Sequence, residues 1–201
     1  NIFHYPLKCI DMIRHQRRRK HIPWVEELGE NSSFEIECNA LNDNTVAFVN
    51  AMKHNATLES LTVFTRYLSD FDVASEMKGA VVYAIAAVLR MNSTLTILNL
   101  SHTYIGVHGA VHILKSLKVN ASLTSLDLSC NDIRQEGAMA IADALKINST
   151  LTSLNLSSNS IQQSGVMAIT DAFKVDFPWT TLMFGCRSIE HAGVMAIADA
   201  L

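Results

Sequence analysis

The chain has 201 residues, 49% hydrophobic and 17% charged with three prolines, a balance that supports one large domain or two small ones and excludes widespread disorder. Its longest apolar run, Gly79 to Leu89, lies between Lys78 and Arg90 and is too short for a transmembrane segment, which takes about 20 residues. The formal charge of −3 hides an asymmetry: residues 1–22 carry a local +5, leaving −8 on the rest, and a body that acidic excludes nucleic acid held through its phosphates.

The chain begins at Asn1 without a Met, which reads as a fragment or a processed product. Residues 1–30 form a basic segment expected to be helical. Its run RHQRRRKH, Arg14 to His21, suits a solvated face, while Ile2, Phe3, Leu7, Ile10 and Ile13 suit a buried one that caps the first coil. The same run has the composition of a nuclear-import or phospholipid patch.

Residues 31–201 read as one domain of about six repeats: 31–57, 58–94, 95–122, 123–150, 151–178 and an incomplete 179–201. In the first, Phe34, Ile36, Asn39 and Leu41 hold the motif positions; in the second, Leu58, Leu61, Val63 and Leu68 do. The second is longer by nine residues between Leu68 and Ile85, an insertion expected as a loop carrying Asp70, Asp72 and Glu76. The next three align without a gap at a 28-residue period: LTILNLSHTYIGVHGAVHILKSLKVNAS from Leu95, LTSLDLSCNDIRQEGAMAIADALKINST from Leu123 and LTSLNLSSNSIQQSGVMAITDAFKVDFP from Leu151. The last block, WTTLMFGCRSIEHAGVMAIADAL from Trp179, stops inside a predicted helix at Leu201. Further repeats or a C-terminal cap are therefore expected, to cover Trp179, Leu182 and Phe184.

Each repeat predicts one strand and one helix. Leu98/Leu100, Leu126/Leu128 and Leu154/Leu156 alternate with polar residues, as in a strand with one face inward. Ala138, Ile141, Ala142 and Leu145 fall on one helical stripe. Gly109, Gly137, Gly165 and Gly193 share a register position that suits close approach of a backbone. Asn120 and Asn148 close helices, where Asn tolerates the left-handed conformation. One strand and one helix cannot bury their own apolar face, so the repeats must stack. The fold expected is an α/β solenoid, a horseshoe with an inner parallel sheet and outer helices.

The LxxLxLxxN pattern, repeated at that period, resembles the ribonuclease-inhibitor-like class of leucine-rich repeats across residues 31–201. The phrase GAMAIADALKINSTLTSLNLSSN is especially similar to repeats of NOD-like receptors and of Ran GTPase-activating proteins. The resemblance implies a ladder of buried asparagines at Asn39, Asn131 and Asn159, interrupted at Arg66, Thr103 and Arg187, where coils are expected to be looser. On this reading Leu126→Ala costs about 2–5 kcal/mol and Asn131→Ala about 1–3 kcal/mol.

Residues between the inward leucines form three rows on the concave sheet face: Ser60, Ile97, Ser125, Ser153, Thr181; Glu35, Thr62, Asn99, Asp127, Asn155, Met183; and Glu37, Phe64, Ser101, Ser129, Ser157, Gly185. From these the protein-binding candidates are Thr62, Phe64, Asn99, Ser125, Asp127, Ser153, Asn155 and Met183, with Arg66 and Tyr67 beside them. The 60–67 end is the best of them, because hot spots favour aromatic residues and Arg. Met139, Met167 and Met195, with Val111, form an apolar helix row. It is read as packing between neighbouring helices, with an adaptable contact ridge as the alternative.

No catalytic constellation appears. His108 and His112 have the spacing of a zinc-binding helix, but Gly109 stands where the Glu of H-E-x-x-H belongs. No metal or cofactor is expected. Cys9, Cys38, Cys130 and Cys186 lack CxxC spacing and read as free thiols, which points to a cytoplasmic setting. N-x-S/T occurs at Asn31, Asn55, Asn92, Asn99, Asn120, Asn148 and Asn155; most recur at one repeat position and read as repeat grammar and not as glycan sites. The function expected is non-catalytic protein–protein recognition or scaffolding, in the form of the sensing repeats of a NOD-like receptor. The alternative is a Ran-type GTPase activator, and a third possibility is a secreted recognition protein.

Overall fold

The computed structural model describes residues 31–38, 44–65, 73–173 and 180–185, with the backbone alone at 73–78 and 173. Strands and helices alternate: β1 (Ser33–Glu37), α1 (Thr45–His54), β2 (Ser60–Phe64), α2 (Val73–Met91), β3 (Ile97–Asn99), α3 (Gly106–Leu117), β4 (Ser125–Asp127), α4 (Arg134–Leu145), β5 (Ser153–Asn155), α5 (Gln163–Phe173) and β6 (Thr181–Met183). The strands form one six-stranded sheet in the order β1 to β6, each pair parallel. Leu61, Leu98, Leu126, Leu154 and Leu182 pair in one line across five strands. All but half-buried Leu182 are at most 1% exposed. Strand alternation is thus the cause of the core. The inward leucines meet Ile113, Ile141 and Ile169 of the helices in one continuous apolar layer.

The basic segment 1–30 lies outside the described residues, as do Asn39, Arg66, Tyr67, Asp70, Asp72, Trp179, Arg187, Gly193, Met195, Cys9 and Cys186. The expected loop insertion is corrected in part. Helix α2 runs 19 residues where α3 has 12, so much of the surplus, Glu76 included, is helix. From Val81 onward its burial follows the repeat register of α3.

The register glycines also need a correction, because side chains and not a backbone crowd them. A Cβ on Gly109 would meet the Ile105 Cβ at 2.9 Å and the Val82 Cγ2 at 3.2 Å; one on Gly165 would meet the Ala138 Cβ at 2.7 Å. One on Gly137 would overlap the Ile133 Cγ2. Each glycine lets its own repeat's isoleucine fold under the first turn, against the preceding helix.

The left-handed residues are not Asn120 and Asn148. Among the described residues they are His102, Tyr104, Cys130, Asp132, Arg134, Ser158 and Ser160, with Gly106, at φ between 52° and 59°. They fall at matching repeat positions in the turns between strand and helix. Each turn must double back within a few residues to bring its isoleucine over the core.

Candidate protein-binding surface

Three rows of hydrogen-bonding side chains join successive coils, and they decide which polar residues are free to do anything else. The first is the asparagine ladder at the strand-to-helix turns. Asn131 is fully buried. Its Nδ2 donates to the carbonyls of Leu100 (2.7 Å), Leu128 (3.0 Å) and Ser129 (3.1 Å), and its Oδ1 accepts from the amides of Thr103 and Ile105, both at 3.2 Å. Asn159 repeats the arrangement one coil later, its Nδ2 on Leu128 and Leu156 and its Oδ1 receiving the Asn131 amide. The expected break at Thr103 is corrected. Thr103 is buried, its hydroxyl donating to the Leu100 carbonyl at 2.6 Å and lying 3.2 Å from the Asn131 Oδ1. A shorter side chain continues the ladder because it needs to reach only its own coil and the next.

The second row has no counterpart among the expectations from sequence. Asn92, Asn120 and Asn148, at the helix-to-strand turns, are 5%, 7% and 4% exposed. Each Oδ1 caps its own turn, accepting the Leu95, Leu123 or Leu151 amide at 2.8 Å. Each Nδ2 reaches back to carbonyls of the preceding coil: Met52 and Asn55, then Leu89 and Asn92, then Leu117 and Asn120. These are three of the N-x-S/T matches, and their amide nitrogens are already bonded inside the protein. The third row is threonine. The hydroxyls of Thr96, Thr124, Thr152 and Thr180 each donate to the carbonyl one coil earlier, at 3.0–3.2 Å. The signal for both rows was present as N-x-S/T-L-T recurring at one position, but it has a local meaning too, as cap or sequon, and that masked the inter-coil one.

The described binding candidates do share one face, the side of the sheet away from the helices. Thr62, Asn99, Asp127, Asn155 and Met183 lie in one register line, and Ser125 and Ser153 in the line beside it. Phe64, paired with Glu37, is half-buried. Three of these candidates are partly committed to the fold. The side-chain oxygens of Asn99, Asp127 and Asn155 each accept the amide two residues on, and the Asn155 Nδ2 donates to the Asp127 Oδ2 at 3.0 Å. The half-buried hydroxyls of Thr62, Ser125 and Ser153 share the face with apolar side chains. Met183 is half exposed, and Ile97, absent from the candidates, is 45% exposed at a position where the next two repeats hold serine. That contrast between repeats was the signal for Ile97. Glu35 and Glu59 are exposed around this end of the face.

On the helical side the methionine row is not packed away, which corrects the packing reading. Met139 and Met167 are 48% and 44% exposed, Val111 is half-buried, and Tyr83 extends the row by one repeat. Tyr83 meets His112 edge-on at 4.5 Å. His108 is exposed, and among the described residues no group of three His, Cys, Asp or Glu side chains could hold a metal ion. Cys38 and Cys130 are free thiols. Burial, reinforced by Glu37, pushes the Cys38 thiol up from 9.0 to about 12. No described helix is long and apolar enough to cross a membrane.

The family described as Leucine Rich repeat matches at residues 92–114, 119–142 and 148–169, so the chain carries leucine-rich repeats. Among solved structures the chain is similar to leiomodin-1 actin-binding site 2, with a TM-score of 0.61 and 23% identity over 80% of this chain and 87% of that one. It is also similar to the tropomodulin C-terminal domain from Caenorhabditis elegans, with a TM-score of 0.58 and 13% identity over 79% and 91%. Identities this low establish the fold alone, an α/β leucine-rich-repeat solenoid. No curated protein matches the chain.

Proposed function

We propose that these repeats are a non-catalytic protein-recognition module that holds its partner on the open face of the sheet. The observation that carries the reading is Ile97: a large apolar side chain, 45% exposed, fixed on a parallel sheet whose coils are cross-linked by three hydrogen-bonded rows. A rigid wall loses little freedom on binding, which favours affinity. Phe64 and Thr62 lie on neighbouring strand positions, and Glu35, Glu59 and Asp127 give the surround a negative charge suited to a partner with basic residues around an apolar contact.

The similar leiomodin-1 structure is actin-binding site 2 of that protein, which makes actin the first partner to test. A cytoplasmic setting belongs to the same reading and is supported by the free thiols and the buried sequon asparagines. Service as the sensing repeats of a NOD-like receptor is its finer form, and Ran-type GTPase activation is its rival.

Sedimentation of purified chain with purified actin, as monomer and as filament, tests the partner. Ile97→Asp tests the face, with an expected loss of about tenfold or more in affinity from removing one buried aliphatic contact. Absence of binding retires actin; binding indifferent to Ile97→Asp retires the open face. Stimulated GTP hydrolysis by Ran would replace recognition with activation.

A further inference from the structure

The lateral edge where helices end and turn toward the strands carries a second pattern, unrelated to the open face. Lys53, Arg90, Lys118 and Lys146 occupy one register position in four successive repeats, and in residues 53–60, 90–97, 118–125 and 146–153 the single carboxylate is Glu59. Lys53, Arg90 and Lys146 are exposed and Lys118 is half-buried. Lys146 lies 3.6 Å from Asp143 in an exposed pair, which contributes little and leaves the cation accessible. A cation near a helix C-terminus complements the helix dipole, and that alone accounts for these four. It does not account for the residues beside them: Met91, Val119 and Ile147 are 43%, 68% and 58% exposed, again in one register line.

Two parallel lines result, one cationic and one apolar, on a chain whose remainder after residue 22 is strongly acidic. Neighbouring helices are about 10 Å apart, so the cationic line extends roughly 30 Å and the apolar one roughly 20 Å. The opposite edge differs: Arg134 is held by Asp132, its Nη2 2.6 Å from the Asp132 Oδ2, with Glu136 close by in sequence.

We infer that this edge is a second docking site, for a linear acidic and apolar protein segment whose carboxylates recur at the spacing of the helices. Charge complementarity selects the sign, and the narrow ribbon shape selects a linear segment. An amphipathic helix meets the spacing, since seven residues rise about 10.5 Å. A membrane is disfavoured by the apolar line itself, which holds no Trp, Tyr or Phe of the kind that anchors proteins at lipid interfaces.

The probe is a fluorescent synthetic peptide of roughly 20 residues, Glu at every seventh position and Leu three and four later, titrated with the full chain by anisotropy. Binding that weakens with salt is expected. The combined Arg90→Glu, Lys118→Glu and Lys146→Glu variant should lose about tenfold or more, and Val119→Ser with Ile147→Ser about fivefold. Arg134→Glu, on the other edge, should change affinity by less than about twofold. Circular dichroism checks that each variant is folded. Ile97→Asp should leave peptide binding unchanged, so failure here and failure of the open-face reading are told apart. The inference is overturned by no binding at low salt, by an equal loss in Arg134→Glu, or by phosphatidylserine–phosphatidylcholine vesicles bound through these residues when the peptide is not.

Discussion

Replacing Asn131 with alanine separates a ladder that holds the coils together from a merely buried polar residue. Its hydrogen bonds would not be equally costly to lose. The Leu100 carbonyl keeps the Thr103 hydroxyl at 2.6 Å, the Leu128 carbonyl keeps the Asn159 Nδ2 at 2.8 Å, and the Ser129 carbonyl keeps the His102 amide at 3.0 Å. The amides of Thr103 and Ile105 have no second acceptor among the described residues. Both lie in a buried turn, and an orphaned buried donor costs about 1–3 kcal/mol. Two of them put the loss at about 2–6 kcal/mol, above the roughly 1–3 kcal/mol expected from sequence. That is a large part of the stability of a typical domain. Urea unfolding followed by circular dichroism reads it as a lower midpoint at unchanged slope. Asn131→Asp keeps the acceptor but turns a carboxylate toward three carbonyl oxygens, so at neutral pH it should lose at least as much. A loss below about 1 kcal/mol in the alanine variant would refute the reasoning.

Leu126→Ala, in the middle of the leucine line and 1% exposed, should lower stability by about 2–5 kcal/mol in the same assay. Gly137→Ala should cost about 1–3 kcal/mol, because the new methyl overlaps Ile133. Gly106→Ala meets open space and should cost only the left-handed backbone penalty of about 1–2 kcal/mol. The raised Cys38 pKa gives a pH window. Below 9.0 the thiol is protonated in both states; between 9.0 and about 12 it ionises only in the unfolded chain, so stability falls across that interval and levels off beyond it. Cys38→Ser, whose hydroxyl does not ionise there, should remove that part of the alkaline loss. Finally, chain directed through a secretory pathway should carry no glycan at Asn92, Asn120 or Asn148 in its folded monomer, as read by peptide mass. A glycan on Nδ2 would displace the bonds to the preceding coil, and finding one in folded protein would contradict the second ladder.

Periodicity alone determined the coil. A leucine that recurs at a fixed interval can be buried only if its neighbours cover it, so the stacked parallel strands, their pairing and the inward positions at Leu98, Leu126 and Leu154 are all legible in the sequence. The asparagines at 131 and 159 were legible through their resemblance to a known repeat. What a side chain does between coils was not legible, because contacts a whole repeat apart leave no local trace. Asn120 looks like a helix end and a sequon, yet its Nδ2 also donates to the Leu89 carbonyl of the previous coil. Thr103 looks like a gap in a ladder, yet it has the length to fill it. Met139 and Met167 looked like packing because methionine is apolar, and only the stacked structure shows them half in water. The same physics left Ile97 in the open and set Lys118 and Lys146 in line with Arg90 and Lys53. Sequence dictates what must be buried, since burial follows composition and period; the three-dimensional stack decides what is left outside, since exposure depends on what the neighbouring coil happens to cover.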